Sequence, residues 1–284
     1  MRIAVLSDIH GNHIAFNECL KHAKGQNVDR YVFLGDYLGE FPYQQKTMEM
    51  LYELNDKEKC IFIRGNKEDY WLDRKKNVNC EWINGNSSVG VMKYNFENIN
   101  DKDFAFFEAM PISKTIEIEG MPSILFCHGT PISNSAKLLP DNDTTDELLK
   151  NIPENYIVCG HTHIQRSFFS GEKRIINDGA VGVALSGKGR VAQYMILDSS
   201  SGKWNVETFD VEYDVEKVKN EIYESGLFDV APYWCRITIH LMETGTISHG
   251  TVLNEAIKHN DFKDDWFNIP DVDWEAALDT FNIK

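Results

Sequence analysis

Five times in this chain a short apolar run stops at a polar cluster, and that recurrence constrains the fold more than any other feature. The runs are Ile3-Ala4-Val5-Leu6, Tyr31-Val32-Phe33-Leu34, Cys60-Ile61-Phe62-Ile63, Ile124-Leu125-Phe126-Cys127 and Tyr156-Ile157-Val158-Cys159. Continuous apolar runs bounded by Gly, Asp or Asn are the pattern of strands covered on both faces. Between the first two runs, Ile14, Leu20 and Ala23 fit the inner stripe of a helix; between the next two, Met48, Leu51 and Leu54 do the same. Strand and helix in alternation specify an α/β fold.

Farther along, the stretch from about 69 to 110 reads as a helical insertion. The stretch from Ser167 to Phe209 reads as shorter strands with hairpin signals at Gly171-Glu172 and Ser201-Gly202, which predicts a second sheet beside the first. From about Asp214 the pattern changes. Val215, Val218, Ile222 and Leu227 predict one more helix, and the tail after Ser248 is partly helical and rich in Asp and Trp. The organisation expected is a catalytic domain over 1–212 and an α/β C-terminal extension over 213–284, which either covers the pocket or pairs subunits in a homodimer.

The clusters that end the runs carry the chemistry. In order they are Asp8-Ile9-His10-Gly11-Asn12, Gly35-Asp36, Gly65-Asn66 after Arg64, His128-Gly129 and Gly160-His161-Thr162-His163. In open α/β sheets, ligands bind beyond the carboxyl ends of the strands, so five such clusters can converge on one place. The neighbouring glycines permit tight turns and close backbone approach. Imidazole with carboxylate favours Zn, Fe or Mn over Ca or Mg. In extended backbone, Asp-x-His and His-x-His put alternate side chains on one side, so each pair can grip one centre.

The order D-x-H, G-D, G-N, H, G-H-x-H over about residues 1–210 resembles the calcineurin-like metallophosphoesterases, in particular their small bacterial and archaeal phosphodiesterase or diadenosine-tetraphosphatase-like branch. The resemblance implies a four-layer α/β/β/α sandwich of two mixed sheets flanked by helices. It implies two metal ions (Mn, Fe or Zn). Asp8, His10, Asp36 and His163 would hold one; Asp36 would bridge to a second, held with Asn66, His128 and His161. It further implies in-line attack on phosphorus by a metal-bound hydroxide.

The chain departs from the family at the third block. Many members carry a His after the Gly-Asn pair, thought to protonate the leaving group; here the residue is Lys67, followed by Glu68 and Asp69. An ammonium with a pKa of about 10.4 can bind phosphate but is a poor general acid at neutral pH. That favours a substrate with a good leaving group. Catalytic candidates are Lys67, Asp69 and His128, and substrate contacts are Asn12, Arg64 and Lys67. His13 is a substitute proton donor three residues after His10. A second departure is Asn177-Asp178-Gly179, where relatives often read Asn-Pro-Gly-Ser. Gly39-Glu40-Phe41-Pro42 belongs to the rim, and Tyr37, Phe41, Tyr70 and Trp71 are candidate stacking surfaces for a base.

Bulk properties narrow the partners. A formal net charge of -15 disfavours long nucleic acid, since an acidic surface repels a phosphate backbone. No stretch approaches the roughly 18 apolar residues of a membrane span. Cys19, Cys60, Cys80, Cys127, Cys159 and Cys235 are scattered without a CxxC pair, which reads as reduced thiols in a cytoplasmic protein. The function expected is hydrolysis of a phosphodiester or phosphoanhydride in a small nucleotide. The alternatives are a Ser/Thr phosphoprotein phosphatase and, for a chain that had lost ligands, a non-catalytic scaffold.

Overall fold

The computed structural model describes residues 1–77, 87–260 and 268–284. The chain begins with β1 (Arg2–Leu6), α1 (His13–Gly25), β2 (Arg30–Phe33), α2 (Gln44–Lys57) and β3 (Cys60–Phe62). Three helices follow, α3 (Asn66–Lys76), α4 (Ser88–Glu97) and α5 (Asp101–Ala109), then β4 (Ser113–Ile116), β5 (Ile124–Cys127), α6 (Asp143–Leu149) and β6 (Tyr156–Cys159). Four strands come next: β7 (Arg166–Ser170), β8 (Lys173–Asn177), β9 (Val191–Asp198) and β10 (Asn205–Glu212). The chain closes with α7 (Val215–Glu224), α8 (Leu227–Val230), α9 (Pro232–Thr244), α10 (His249–His259) and α11 (Asp271–Thr280).

All five apolar runs are strands, but they divide between two mixed five-stranded sheets, β10-β9-β1-β2-β3 and β4-β5-β6-β8-β7. The period of two along each strand explains the layering. Ile3 and Val5 of β1 pack into the interface with Ile124 and Phe126 of β5 and Val158 of β6. Ala4 and Leu6 face the opposite way, into the helices. On the outer side of the second sheet, Leu125, Ile157 and Ile175 pack with Leu149 of α6. The result is the expected helix, sheet, sheet, helix sandwich.

Two expectations are corrected. The strands between Ser167 and Phe209 do not form one sheet: β7 and β8 join β5 and β6, whereas β9 returns to pair antiparallel with β1 and brings β10 with it. Among the described residues the C-terminal extension is helical rather than α/β. Its buried residues recur at helical spacing, as Val215, Val218 and Ile222 in α7 and Trp234, Ile237, Thr238 and Leu241 in α9. Part of the helical insertion (78–86), Cys80 and the tail segment 261–267 lie outside the described residues. None of the described helices is long and apolar enough to cross a membrane.

Candidate metal centre

The five polar clusters meet at one edge of the sandwich, where the carboxyl ends of β1, β2 and β3 face those of β5 and β6. Asp8 and His128 are fully buried, and His10, Asp36 and Asn66 nearly so. The backbone route differs from expectation. Asp8, His10, Asp36, His161 and His163 all have φ between 52° and 65°. The Asp-x-His and His-x-His pairs therefore sit on left-handed turns, not extended backbone. Asp and His are among the few non-glycine residues that tolerate this region. Glycine makes room where the turns cross: a Cβ on Gly65 would collide with Asp36 Oδ1, and one on Gly160 would lie 2.7 Å from Asp8 Oδ2.

The two oxygens of Asp8 are used differently. Oδ2 accepts from the Ser7 hydroxyl (2.6 Å) and the His161 backbone N–H (2.9 Å). Oδ1 faces inward, 3.1 Å from His163 Nε2, 3.6 Å from His10 Nε2 and 4.0 Å from His128 Nε2. Asp36 also spans the cluster, with Oδ2 3.7 Å from His10 Nε2 and Oδ1 3.5 Å from His128 Nε2. Two groups result, Asp8 with His10 and His163, and Asp8 with Asp36 and His128, each with its candidate ligand atoms within 4.8 Å of one another.

The histidines are oriented from behind. His128 Nδ1 donates to the Leu34 carbonyl (2.8 Å), so Nε2 is left with a lone pair, and it faces Asn66 Oδ1 at 3.0 Å. His10 Nδ1 is held by the Glu40 carboxylate, which turns Nε2 toward His163 Nε2, 3.3 Å away. His161 donates from Nε2 to the Ser135 carbonyl (3.1 Å), and its ring meets that of His128 edge-on. Imidazoles held by an acceptor on the remote nitrogen are the usual arrangement around a metal. The ring nitrogens and carboxylate oxygens that face one another across the cluster are atoms a metal ion between them could take as ligands. The donor set therefore fits two metal ions.

The electrostatics make the same point. Burial opposes charge on His10, yet Glu40, Asp8 and Asp36 override it and raise the imidazole to about 10. Burial also opposes ionisation of Asp8, but His163 and His128 hold its carboxyl well below the usual range. His161, farther from the carboxylates, is lowered to about 4 by burial and by His128. The centre of the cluster demands positive charge.

Other candidates are placed elsewhere. Lys67 lies at the cleft, but its ammonium is paired with Glu40 Oε1 at 2.8 Å. Burial works against that charge, while Glu40 and Asp36 raise its pKa. Lys67 thus holds its proton, which disqualifies it as a general acid. Asp69 turns away to Arg64 Nε (2.9 Å) and Asn134 Nδ2 (2.6 Å), so neither Asp69 nor Arg64 lines the cleft. Asn12 caps α1 by accepting from the Ala15 N–H at 3.1 Å, with its amide directed to the Gly182 carbonyl; it too is spent on structure. His13 faces Glu221 (3.4 Å) in a separate cavity. Of the four aromatic candidates, Tyr37, Phe41 and Trp71 are core residues and only Tyr70 is exposed.

Two carboxylates escaped the sequence reading. Glu40, assigned only to the rim, is buried and grips His10 and Lys67 together. Glu68 accepts the backbone N–H groups of Gly65, Asp36 and Tyr37 at 2.8, 3.0 and 2.9 Å, tying the second block to the third. Its signal was its place two residues after Asn66, in the first turn of a helix. Of the two roles expected for the extension, the structure has it cover the pocket: it forms the opposite wall of a cleft of about 610 Å³ above the cluster, through Trp234 of α9 and Ser248 to Thr251 around the start of α10. His249 there stacks on Trp234, with ring centroids 4.7 Å apart, and pairs with Thr238 Oγ1 at 2.7 Å. The loop at Asn177-Asp178 reaches the site through Ser7, whose hydroxyl lies 2.8 Å from Asp178 Oδ1.

Comparison with known proteins agrees with this geometry. The sequence profile of the calcineurin-like phosphoesterase superfamily domain matches residues 1–202. An uncharacterised protein of Methanocaldococcus jannaschii is 26% identical over 250 residues, covering 82% of this chain and 94% of its own. A serine/threonine-protein phosphatase of Saccharomyces cerevisiae is 28% identical over 158 residues, covering 54% of this chain and 50% of its own. Among solved structures, a metallophosphoesterase from Sphaerobacter thermophilus superposes with a TM-score of 0.69 at 18% identity, covering 87% of this chain and 100% of its own.

Proposed function

The chain belongs to the calcineurin-like phosphoesterase superfamily, and from that premise we propose that it is a dinuclear metal-dependent phosphoesterase hydrolysing a phosphodiester or phosphoanhydride bond of a small nucleotide. The observation that carries the proposal is the pair of acceptor clusters joined by two carboxylates, with every imidazole but one anchored from behind. Asp8, His10 and His163 would hold one ion, and His128, Asn66 and His161 the other. Asp36 would be shared between the two sets, a role supported by its two oxygens facing His10 and His128. Bound there, two ions supply Lewis-acid charge at phosphorus and lower the pKa of water. Imidazole and carboxylate donors suit Mn, Fe or Zn.

The protein's own residues narrow the bond that is cleaved. Lys67, the residue that follows the Gly-Asn pair, is held as the cation by Glu40 and is a poor proton donor near neutral pH. A phosphate or nucleotide leaving group needs no such donor, whereas an alkoxide does. A protein phosphatase is the second reading, favoured by the Saccharomyces cerevisiae relative. A scaffold reading is disfavoured because none of the seven ligand positions is lost. Metal content and turnover test the proposal together. Protein loaded with Mn should hold about two ions per chain and cleave bis(p-nitrophenyl) phosphate or a dinucleoside polyphosphate. Turnover of phosphopeptides with neither of those substrates would replace it by the second reading.

A further inference from the structure

The cleft carries a cationic, donor-rich region that the metal ligands do not use. Lys137, on the loop after β5, is exposed and has no carboxylate partner among the described residues. Arg166 begins β7, three residues after His163. Its guanidinium reaches only the Leu138 carbonyl, at 3.4 Å, and lies 5.7 Å from the Phe168 ring centre. Arg166 Nε is buried without a hydrogen-bond partner, as are Thr162 Oγ1 and Trp234 Nε1. All four residues line the same cleft as His10 and Asp36.

Each buried donor left unsatisfied costs about 1–3 kcal/mol, and the three residues that carry these donors all line one cleft. Lys, Arg and Trp can only donate. Water can accept from them but brings no charge to answer Lys137 and Arg166, and the acidic groups of the cleft are already committed: Glu40 to His10 and Lys67, and Asp36 to the Lys67 N–H and the ligand cluster. A phosphate oxyanion accepts without donating, and Arg with Lys is the pairing that selects it.

We infer that Lys137 and Arg166, with Thr162 and Trp234, form a subsite for a second phosphate, so that the substrate carries at least two linked phosphates and is a phosphoanhydride rather than a single-phosphorus diester. The inference rests on the two-metal reading for the first phosphate. It makes Lys137 and Arg166 specificity-determining, with no part in the hydrolytic step itself.

The test reads binding, not turnover. Calorimetry with excess Mn²⁺ compares methylenediphosphonate, which cannot be hydrolysed, with orthophosphate. Native protein should prefer the diphosphonate by about 10-fold or more, equivalent to about 1.4 kcal/mol. Lys137→Ala combined with Arg166→Ala should reduce the preference below about threefold while leaving orthophosphate affinity and metal content unchanged. Because Arg166 is partly buried, Lys137→Ala alone serves as a control whose folding is not at risk; it should remove part of the preference. Equal binding of the two ligands by native protein, or a preference that survives in the folded variants, overturns the inference. A protein that hydrolyses nothing yet shows this preference would sink the proposed activity and leave the subsite standing. One that hydrolyses anhydrides without the preference would do the reverse.

Discussion

The cleft has two walls built on different principles. The strand-end wall is made of short turns that bury Asp8, His10, Asp36 and His128, with a second partner behind most of the side chains. The helical wall, drawn from α9 and α10, offers Trp234 and His249, whose recorded polar tie is the single bond to Thr238. On the first wall a displaced atom should disrupt chemistry. On the second it should alter which molecule fits and how firmly the wall stands.

Substitutions can break that contrast. The largest effect is expected from Asp36→Asn: a neutral amide bridges two cations poorly, so kcat should fall by about 10³-fold or more with little change in the melting curve. A smaller loss there than from any helical-wall variant would reverse the comparison. Glu40→Gln should come next, with about a 10- to 100-fold loss in metal affinity or activity, because it loosens the support of His10 and frees Lys67. Measured metal content distinguishes this from a change in substrate contact.

The helical wall should respond to pH. Burial, chiefly, pulls His249 down to about 3, against an ordinary value near 6.5. As pH falls below 6.5 the unfolded chain takes up a proton that the folded chain refuses, so stability present above 6.5 is progressively lost toward pH 3. By pH 5 the loss is about 2 kcal/mol, and His249→Gln should abolish that share of it. Identical differences in melting temperature between pH 7 and pH 5 for native protein and variant would show that the histidine carries no such load. The smallest effect is expected from Lys67→Ala, about threefold and mainly in KM, since half of its role is to neutralise Glu40. Lys67→His should raise turnover of substrates with poor leaving groups, which kcat for a nitrophenyl ester and an alkyl ester would show.

The legibility of the molecule followed the same division. β1, β2, β3, β5 and β6 announced themselves as apolar runs, and the polar residues that end them are adjacent in sequence to the strands that carry them. Glu40 and the particular residues of the helical wall were hidden for a physical reason: Glu40 meets His10 across 30 residues, and Trp234 reaches the cleft it shares with His163 from more than 70 residues away. Neither pairing leaves a periodic trace. Asn12, Arg64 and Asp69 drew attention because they flank candidate ligands; adjacency in a turn sends neighbouring side chains in different directions, and these three are engaged by a helix cap, an ion pair and a loop amide. Asp-x-His spacing was read as alternation along a strand because sequence spacing does not separate that from a left-handed turn.

Those turns imply a limit on how this centre can evolve. Aspartate, asparagine and histidine are the side chains that left-handed backbone accepts most readily after glycine, and they are also metal-binding side chains. The two vocabularies coincide, so the loops could acquire ligands without first being rebuilt. The coincidence also closes routes. A glutamate or a β-branched residue at Asp8, His10, Asp36, His161 or His163 meets both a wrong reach and an unwelcoming backbone. Drift at these five positions should therefore run among a few small polar letters and glycine, whether or not a metal is bound there.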